Sequence, residues 1–289
     1  MNGIIIVNKP QGFTSHDVVA KLRGIYKTRR IGHSGTLDPM ATGVLPIFIG
    51  RATRACEFAT GHDKTYRAEM LLGVTTDTQD ITGRVLRVTD ADVTDEALLS
   101  AVNSQIGEIE QIPPMYSAVK IGGKKLYQLA REGIEVERKA RKITIYSIEV
   151  NRLSNRRVSL TVHASKGTYI RTLCADIGEK LGCGATLTAL CRTQAGNFTL
   201  EDAHDFAEIE KEKEALIRPV DSLFSDYPQI FINQAGAKKA RNGAEIPTDA
   251  PINETFRVYS EDGEFLMLAE VVQRGNKRFL KTIKSFFEV

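Results

Sequence analysis

Asp38 sits in Gly32-His33-Ser34-Gly35-Thr36-Leu37-Asp38-Pro39, where two glycines and a proline suit no regular element and predict a constrained loop. A carboxylate fixed in this way can serve as a nucleophile or base toward a sugar carbon. It can equally do no more than cap the turn ahead of Pro39. A second grouping is Ser165-Lys166-Gly167-Thr168-Tyr169-Ile170-Arg171. There Gly167 lets backbone approach a ligand, Tyr169 can stack on a base and Arg171 can clamp a carboxylate or phosphate, although an ordinary helix start with a surface arginine would read the same. Lys64-Thr65-Tyr66-Arg67 places a tyrosine among basic neighbours, where a strand tyrosine also serves a core. Asp77 and Asp80 are close enough to share a divalent ion, but with no third ligand nearby a solvated turn is favoured.

What is missing narrows the chemistry. The chain carries no G-x-G-x-x-G, no G-x-x-x-x-G-K-[ST], no H-E-x-x-H and no G-x-S-x-G, so the usual nucleotide, zinc-protease and hydrolase signatures are absent. Cys56, Cys174, Cys183 and Cys191 form no C-x-x-C pair and are expected as buried free thiols. With 289 residues, 42% of them hydrophobic and 26% charged, the chain lies within the range of ordinary globular domains and holds close to two domains' worth of sequence. The apolar run Ile4–Val7 is too short for a signal segment, and no stretch suits a membrane span, so a cytoplasmic protein is expected. The net charge of +3 hides a segregation: residues 1–60 hold 8 basic and 3 acidic side chains, and residues 114–171 hold 13 and 4. Brought together by the fold, these two blocks would make a cationic face for a polyanionic partner.

The elements that must position these groups are legible in part. Gly3–Asn8 predicts a strand, and Ser15 is expected to cap a helix carrying Val18, Val19, Leu22 and Ile25 on one face. Val44–Ile49 predicts a buried strand that Pro46 should confine to an edge or a bulge. Further strands are expected at Thr65–Leu72 and Arg84–Val88, and a helix from Thr94. Arg141–Asn151 and Arg157–Ala164 alternate with period two around Leu153-Ser154-Asn155-Arg156, which predicts a hairpin. Ile170, Leu173, Cys174, Ile177 and Leu181 then fall at helical spacing, and an acidic helix is expected over Ala207–Ile217. Without regular βαβ alternation the pattern argues α+β: a mixed, largely antiparallel sheet core with helices. Short strands at Phe256–Tyr259, Phe265–Val272 and Phe279–Ile283, with a turn at Asp262-Gly263, predict a small β-rich C-terminal unit. The expected division is 1–225 and 229–289, the second part removable without unfolding the first.

Taken in order, Asn8 to Gly12, Gly32 to Pro46, Lys64 to Tyr66, Pro113 to Lys120, Lys166 to Arg171 and Leu190 to Phe198 resemble the successive motifs of the TruB family of tRNA pseudouridine synthases. The resemblance implies a pseudouridine synthase fold for residues 1–225, and residues 229–289 are similar to a PUA-type RNA-binding domain. It implies that Asp38 is catalytic, that His33 stacks into the RNA loop vacated by the target base, and that Tyr66 and Arg171 belong to the catalytic set. Tyr169 and Leu190 fall where the family lines the uracil pocket, and Lys166 belongs to the same binding surface. The implied reaction is isomerisation of uridine 55 in the T loop of tRNA, with no cofactor or metal because no net redox change occurs. The T arm of tRNA is the implied partner of a monomeric enzyme needing no other protein. Three departures are visible: Asn8 for the usual Asp, Ser34 for Thr or Ala, and Cys191 for a basic residue. An RNA-binding protein without catalysis and a metal-dependent nuclease built on Asp77 and Asp80 are the rival classes.

Overall fold

The computed structural model describes residues 1–287. Its first part runs β1 (Gly3–Lys9), α1 (Ser15–Tyr26), β2 (Ile31–His33), β3 (Thr42–Ile49), α2 (Cys56–Gly61), β4 (Lys64–Leu72), β5 (Val74–Thr76), β6 (Val85–Val88) and α3 (Asp95–Asn103). It continues through β7 (Gly107–Gln111), β8 (Lys120–Ile121), β9 (Lys124–Lys125), α4 (Leu126–Arg131), β10 (Arg141–Arg152), β11 (Arg157–Ala164), α5 (Ile170–Lys180), β12 (Ala185–Ala195), β13 (Phe198–Thr199) and α6 (Phe206–Glu212). Nine of these strands form one sheet in the order β1-β3-β12-β4-β11-β10-β7, with β2 on β3 and β13 on β12. All pairings are antiparallel except β3 with β12, which touch in parallel only at Thr42–Cys191 and Gly43–Arg192. The α+β class with a mixed, mainly antiparallel sheet is therefore the observed one.

Apolar patterning explains which faces are covered. β1 and β3 read as unbroken apolar runs because both their faces are buried: Ile5, Val7, Leu45 and Ile47 pack toward α1 and α5, while Ile4, Ile6, Val44 and Phe48 pack on the other side. β11 alternates, with Val158, Leu160 and Val162 buried and Arg157 and His163 exposed. α5 buries Ile170, Leu173, Cys174 and Ile177, one stripe at helical spacing. The expected hairpin closes as predicted, Leu153 N–H donating to Arg157 O at 2.9 Å.

Four local expectations change. Thr14, not Ser15, caps α1, in a reciprocal box with Asp17. Gly32 and His33 belong to the short strand β2, which the glycine-rich spelling concealed. Pro46 is interior, not at an edge or bulge: β3 has β1 on one side and β12, then β2, on the other. Its missing N–H falls where the neighbour changes from β12 to β2, and its carbonyl accepts from Ser34 N–H at 3.2 Å. The acidic helix α6 ends at Glu212, where Lys213 takes a positive φ, and only a 3-10 turn follows over Lys213–Leu216. The four cysteines are free, two of them (Cys174 and Cys183) buried.

The remaining elements are β14 (Gln229–Ile232), α7 (Gln234–Arg241), β15 (Ile246–Thr248), β16 (Thr255–Ser260), β17 (Phe265–Arg274) and β18 (Lys277–Ser285). They make a separate five-stranded sheet, β14-β16-β17-β18-β15, turning at Asp262-Gly263 as expected. This unit does not stand apart. Leu268 and Phe286 join Phe48, Phe198 and Phe224 in one cluster, and Phe265 stacks on Phe286 at 5.2 Å. Tyr259 Oη donates to Asp221 Oδ2 at 2.6 Å, and Lys284 pairs with Glu57 at 2.6 Å.

Candidate active site

Asp38 lies in the loop between β2 and β3, and its neighbours on both sides are tied down from within. Leu37 N–H donates to Ser15 Oγ at 2.9 Å, and that hydroxyl donates to Leu37 O at 3.3 Å. Ser15, freed from capping, is thus a buried anchor of the loop. Lys9 Nζ, wholly enclosed, donates to Phe13 O at 2.6 Å, Pro10 O at 3.0 Å and Pro39 O at 3.3 Å. Burial, opposed by the Asp38 charge, pushes its ammonium down to about 8. Arg192 Nη2 donates to Gly35 O at 3.0 Å, holding the middle of the loop. Gly43 is required where the loop joins β3: a Cβ there would stand 2.2 Å from Arg192 O, and its φ is +101°.

Arg171, in the first turn of α5, meets Asp38 with two guanidinium nitrogens. Nε stands 2.9 Å from Oδ2 and Nη2 donates to Oδ1 at 3.1 Å, a bidentate pair that fixes the direction of the carboxylate. The arginine side chain is 5% exposed and the aspartate 32%, so the cation lies behind and the carboxylate faces outward. Backbone carbonyls of Tyr116 (2.8 Å) and Thr78 (3.2 Å) take further donors of Arg171. An adjacent guanidinium by itself would depress the Asp38 carboxyl. Instead burial pushes it above the usual carboxylate range, the attraction of Arg171 opposes this only in part, and the Asp80 charge adds to the rise.

Asp80 is the residue at this site that sequence reasoning placed wrongly. Rather than lining a solvated turn it is buried, its Oδ2 lying 3.7 Å from Arg171 Nη1. Its Oδ1 accepts from Thr78 Oγ1 at 2.9 Å, Thr82 N–H at 3.0 Å and Thr82 Oγ1 at 2.5 Å. The alternation Thr78-x-Asp80-x-Thr82 was the available signal, since flanking hydroxyls are what a buried carboxylate needs. Asp77 is separate: its Oδ1 caps the turn by accepting from Arg84 N–H at 2.8 Å. Among the described residues no three His, Cys, Asp or Glu side chains are grouped to hold a metal.

Tyr169 precedes α5, and buried Gln111 grips its backbone in both directions: Tyr169 N–H donates to Gln111 Oε1 at 2.8 Å, and Gln111 Nε2 to Tyr169 O at 3.1 Å. Tyr66, on β4, faces Arg192 on β12 as its register partner, and the phenol acts on the guanidinium electrostatically. His33 is half-buried, and its Nδ1 has no hydrogen-bond partner among the described residues. Burial first, then Arg192 and His16, hold its imidazolium below the usual range, so the ring is neutral at pH 7. Leu190 is buried beside Ala68, at the same end of the sheet. Lys166 is exposed and forms no ion pair among the described residues. The structure therefore joins Asp38 with Arg171 directly, sets Tyr66 opposite Arg192, which holds the same loop, and leaves Lys166 at the surface.

Comparison with known proteins places the chain in a family. Residues 23–170 match the family model of the TruB family pseudouridylate synthase N-terminal domain, and residues 171–225 that of the tRNA pseudouridylate synthase B C-terminal domain. A protein of Clostridium perfringens named tRNA pseudouridine synthase B is 45% identical over 286 residues, covering 96% of this chain and 97% of that one. One of the same name from Clostridium tetani is 46% identical over 284 residues, covering 96% and 98%. Among solved structures, a chain of a Cbf5-Nop10-Gar1 complex superposes with a TM-score of 0.74 at 27% identity, over 99% of this chain and 85% of that chain. A chain of an H/ACA RNP bound to a substrate RNA reaches 0.75 at 24% identity, over the same shares, a likeness of fold.

Proposed function

This chain belongs to the TruB family of pseudouridylate synthases, and from that premise we propose that it isomerises the T-loop uridine at position 55 of tRNA, with Asp38 as the catalytic carboxylate. The observation that carries the reading is the bidentate Asp38–Arg171 pair, with the cation buried and the carboxylate turned outward. The reaction breaks the C1′–N1 bond, rotates the uracil and joins C1′ to C5; N1 gains a proton and C5 loses one, so no electrons are exchanged. Attack on C1′, addition at C6 and removal of the C2′ proton all begin with one ionised carboxylate held in place, which Arg171 supplies the means to aim. Unstacking the target base costs a few kcal/mol, offset by an intruding side chain and a fitted pocket. Neutral His33 on the rim of the Asp38 loop suits the first role, and Tyr169, Tyr66 and Leu190 suit the second. Residues 229–289 act in this reading as a PUA-like RNA-binding domain. The rival nuclease reading loses its basis in the separate employments of Asp77 and Asp80.

The test incubates the protein with unmodified tRNA in EDTA and maps pseudouridine base by base. Conversion at position 55 by the wild type is expected, and Asp38→Asn should bind the same tRNA within about threefold while conversion disappears. Activity of that variant within tenfold of wild type would overturn the assignment of Asp38.

A further inference from the structure

Arg192 is 1% exposed, the largest fully buried side chain, and no carboxylate pairs with it among the described residues. Burying an unpaired guanidinium is costly, so its polar partners must repay the desolvation. Those partners belong to three separate parts of the site. Nε donates to Val44 O on β3 at 2.7 Å, Nη2 donates to Gly35 O in the Asp38 loop at 3.0 Å, and across the sheet the register partner is Tyr66 on β4, whose phenol favours the charged guanidinium. The surrounding sequence makes room for it. A Cβ on Gly35 would stand 3.1 Å from Arg192 Nη1, and Gly43 is crossed by the Arg192 backbone. Lys64 also lies within its field, a second cation beside the loop that carries the Asp38 carboxylate.

Resting on the isomerase reading above, we infer that Arg192 is a positioning residue for the reaction: it holds the Tyr66 hydroxyl in fixed register with the loop that carries Asp38. A planar fork can bond two carbonyls in fixed directions while facing the phenol opposite, which an ammonium on a flexible stem cannot reproduce. Tyr66 thereby reaches the base with its hydroxyl oriented rather than free to rotate, and the Gly35 carbonyl is kept from drifting with it. Arg192 itself touches no substrate; it acts through Tyr66 and the loop.

The test is a double-mutant cycle on the full chain, in single-turnover reactions with unmodified tRNA. Arg192→Lys is expected to lower the rate constant about 30-fold with the half-saturating protein concentration within twofold. In a Tyr66→Phe background the same substitution should change the rate less than threefold, because the group it positions is already gone. Equal losses in the two backgrounds would overturn the inference and reduce Arg192 to a general support of the fold. Should Arg192→Lys not fold, Gly35→Ala displaces the guanidinium from the other side while keeping its charge, and the same non-additivity with Tyr66→Phe is expected. A second readout is free of activity. Tyr66→Phe should speed amide hydrogen exchange across residues 33–38, and unchanged exchange would count against the tie. Wild-type conversion at position 55 judges the isomerase reading; the coupling and the exchange judge Arg192.

Discussion

At the scale of single residues the site depends on how two carboxylates share one cation. In the proposed reaction Asp38 must be ionised to act, and burial together with Asp80 raises its carboxyl above the ordinary value of 3.8. The rate should therefore fall as pH drops through a value higher than an exposed aspartate would give, and a single-turnover pH profile reads it. Arg171→Ala removes the opposing cation and leaves Asp80 facing Asp38, so the acid limb should move further toward neutrality. The rate at pH 7 should drop at least 100-fold, with tRNA affinity within about threefold of wild type. An acid limb displaced downward, or affinity lost in step with rate, would place Arg171 on the RNA surface instead.

At the scale of elements the loop between β2 and β3 is held by buried residues of other segments, Lys9, Ser15 and Arg192. Ser15 shows the logic: the Thr14–Asp17 box caps α1, which releases the Ser15 hydroxyl to secure Leu37. Ser15→Ala leaves the buried Leu37 N–H unsatisfied, at a cost of about 1–3 kcal/mol. Denaturant unfolding should show that loss, and the rate should fall about tenfold because Asp38 is the next residue. Thr14→Ala is the contrasting variant, since it weakens the helix by about 1 kcal/mol while leaving the loop anchor in place. Equal rates for the two would mean that the loop does not need Ser15.

Taken as a whole, the molecule couples its two sheets more closely than a linker between modules would. Phe286 and Leu268 complete the cluster that covers Phe224 and Phe48. Phe286→Ala should cost about 3 kcal/mol and lower the thermal midpoint by several degrees, with the rate on a minimal T-arm stem-loop kept at moderate temperature. Cutting the chain before Gln229 exposes the same cluster, so the shortened protein should unfold earlier or aggregate. That replaces the expectation of a freely removable unit. Binding of tRNA should weaken steeply with salt, through release of counterions by the basic blocks at 1–60 and 114–171. An affinity flat between 50 and 200 mM salt, roughly the range over which such contacts register, would contradict a shared cationic face.

Local patterning was enough to find the hairpin of β10 and β11, the stripe of α5, the strands β1 and β3 and the α+β class, because period-two and helical spacing act over neighbours in the chain. The motif order likewise pointed to Asp38 and Arg171, residues 133 apart in sequence, as partners, while the two-point geometry of their contact came from the fold. Only the tertiary structure decided that Asp80 turns inward, that Ser15 secures a loop instead of a helix end, that Pro46 fits inside a sheet, and that Arg192 joins three elements from a fully buried position. Each of these depends on which groups from distant segments arrive to satisfy a buried donor, acceptor or charge. That demand is met in three dimensions, and the spacing of residues along one strand or helix carries no record of it.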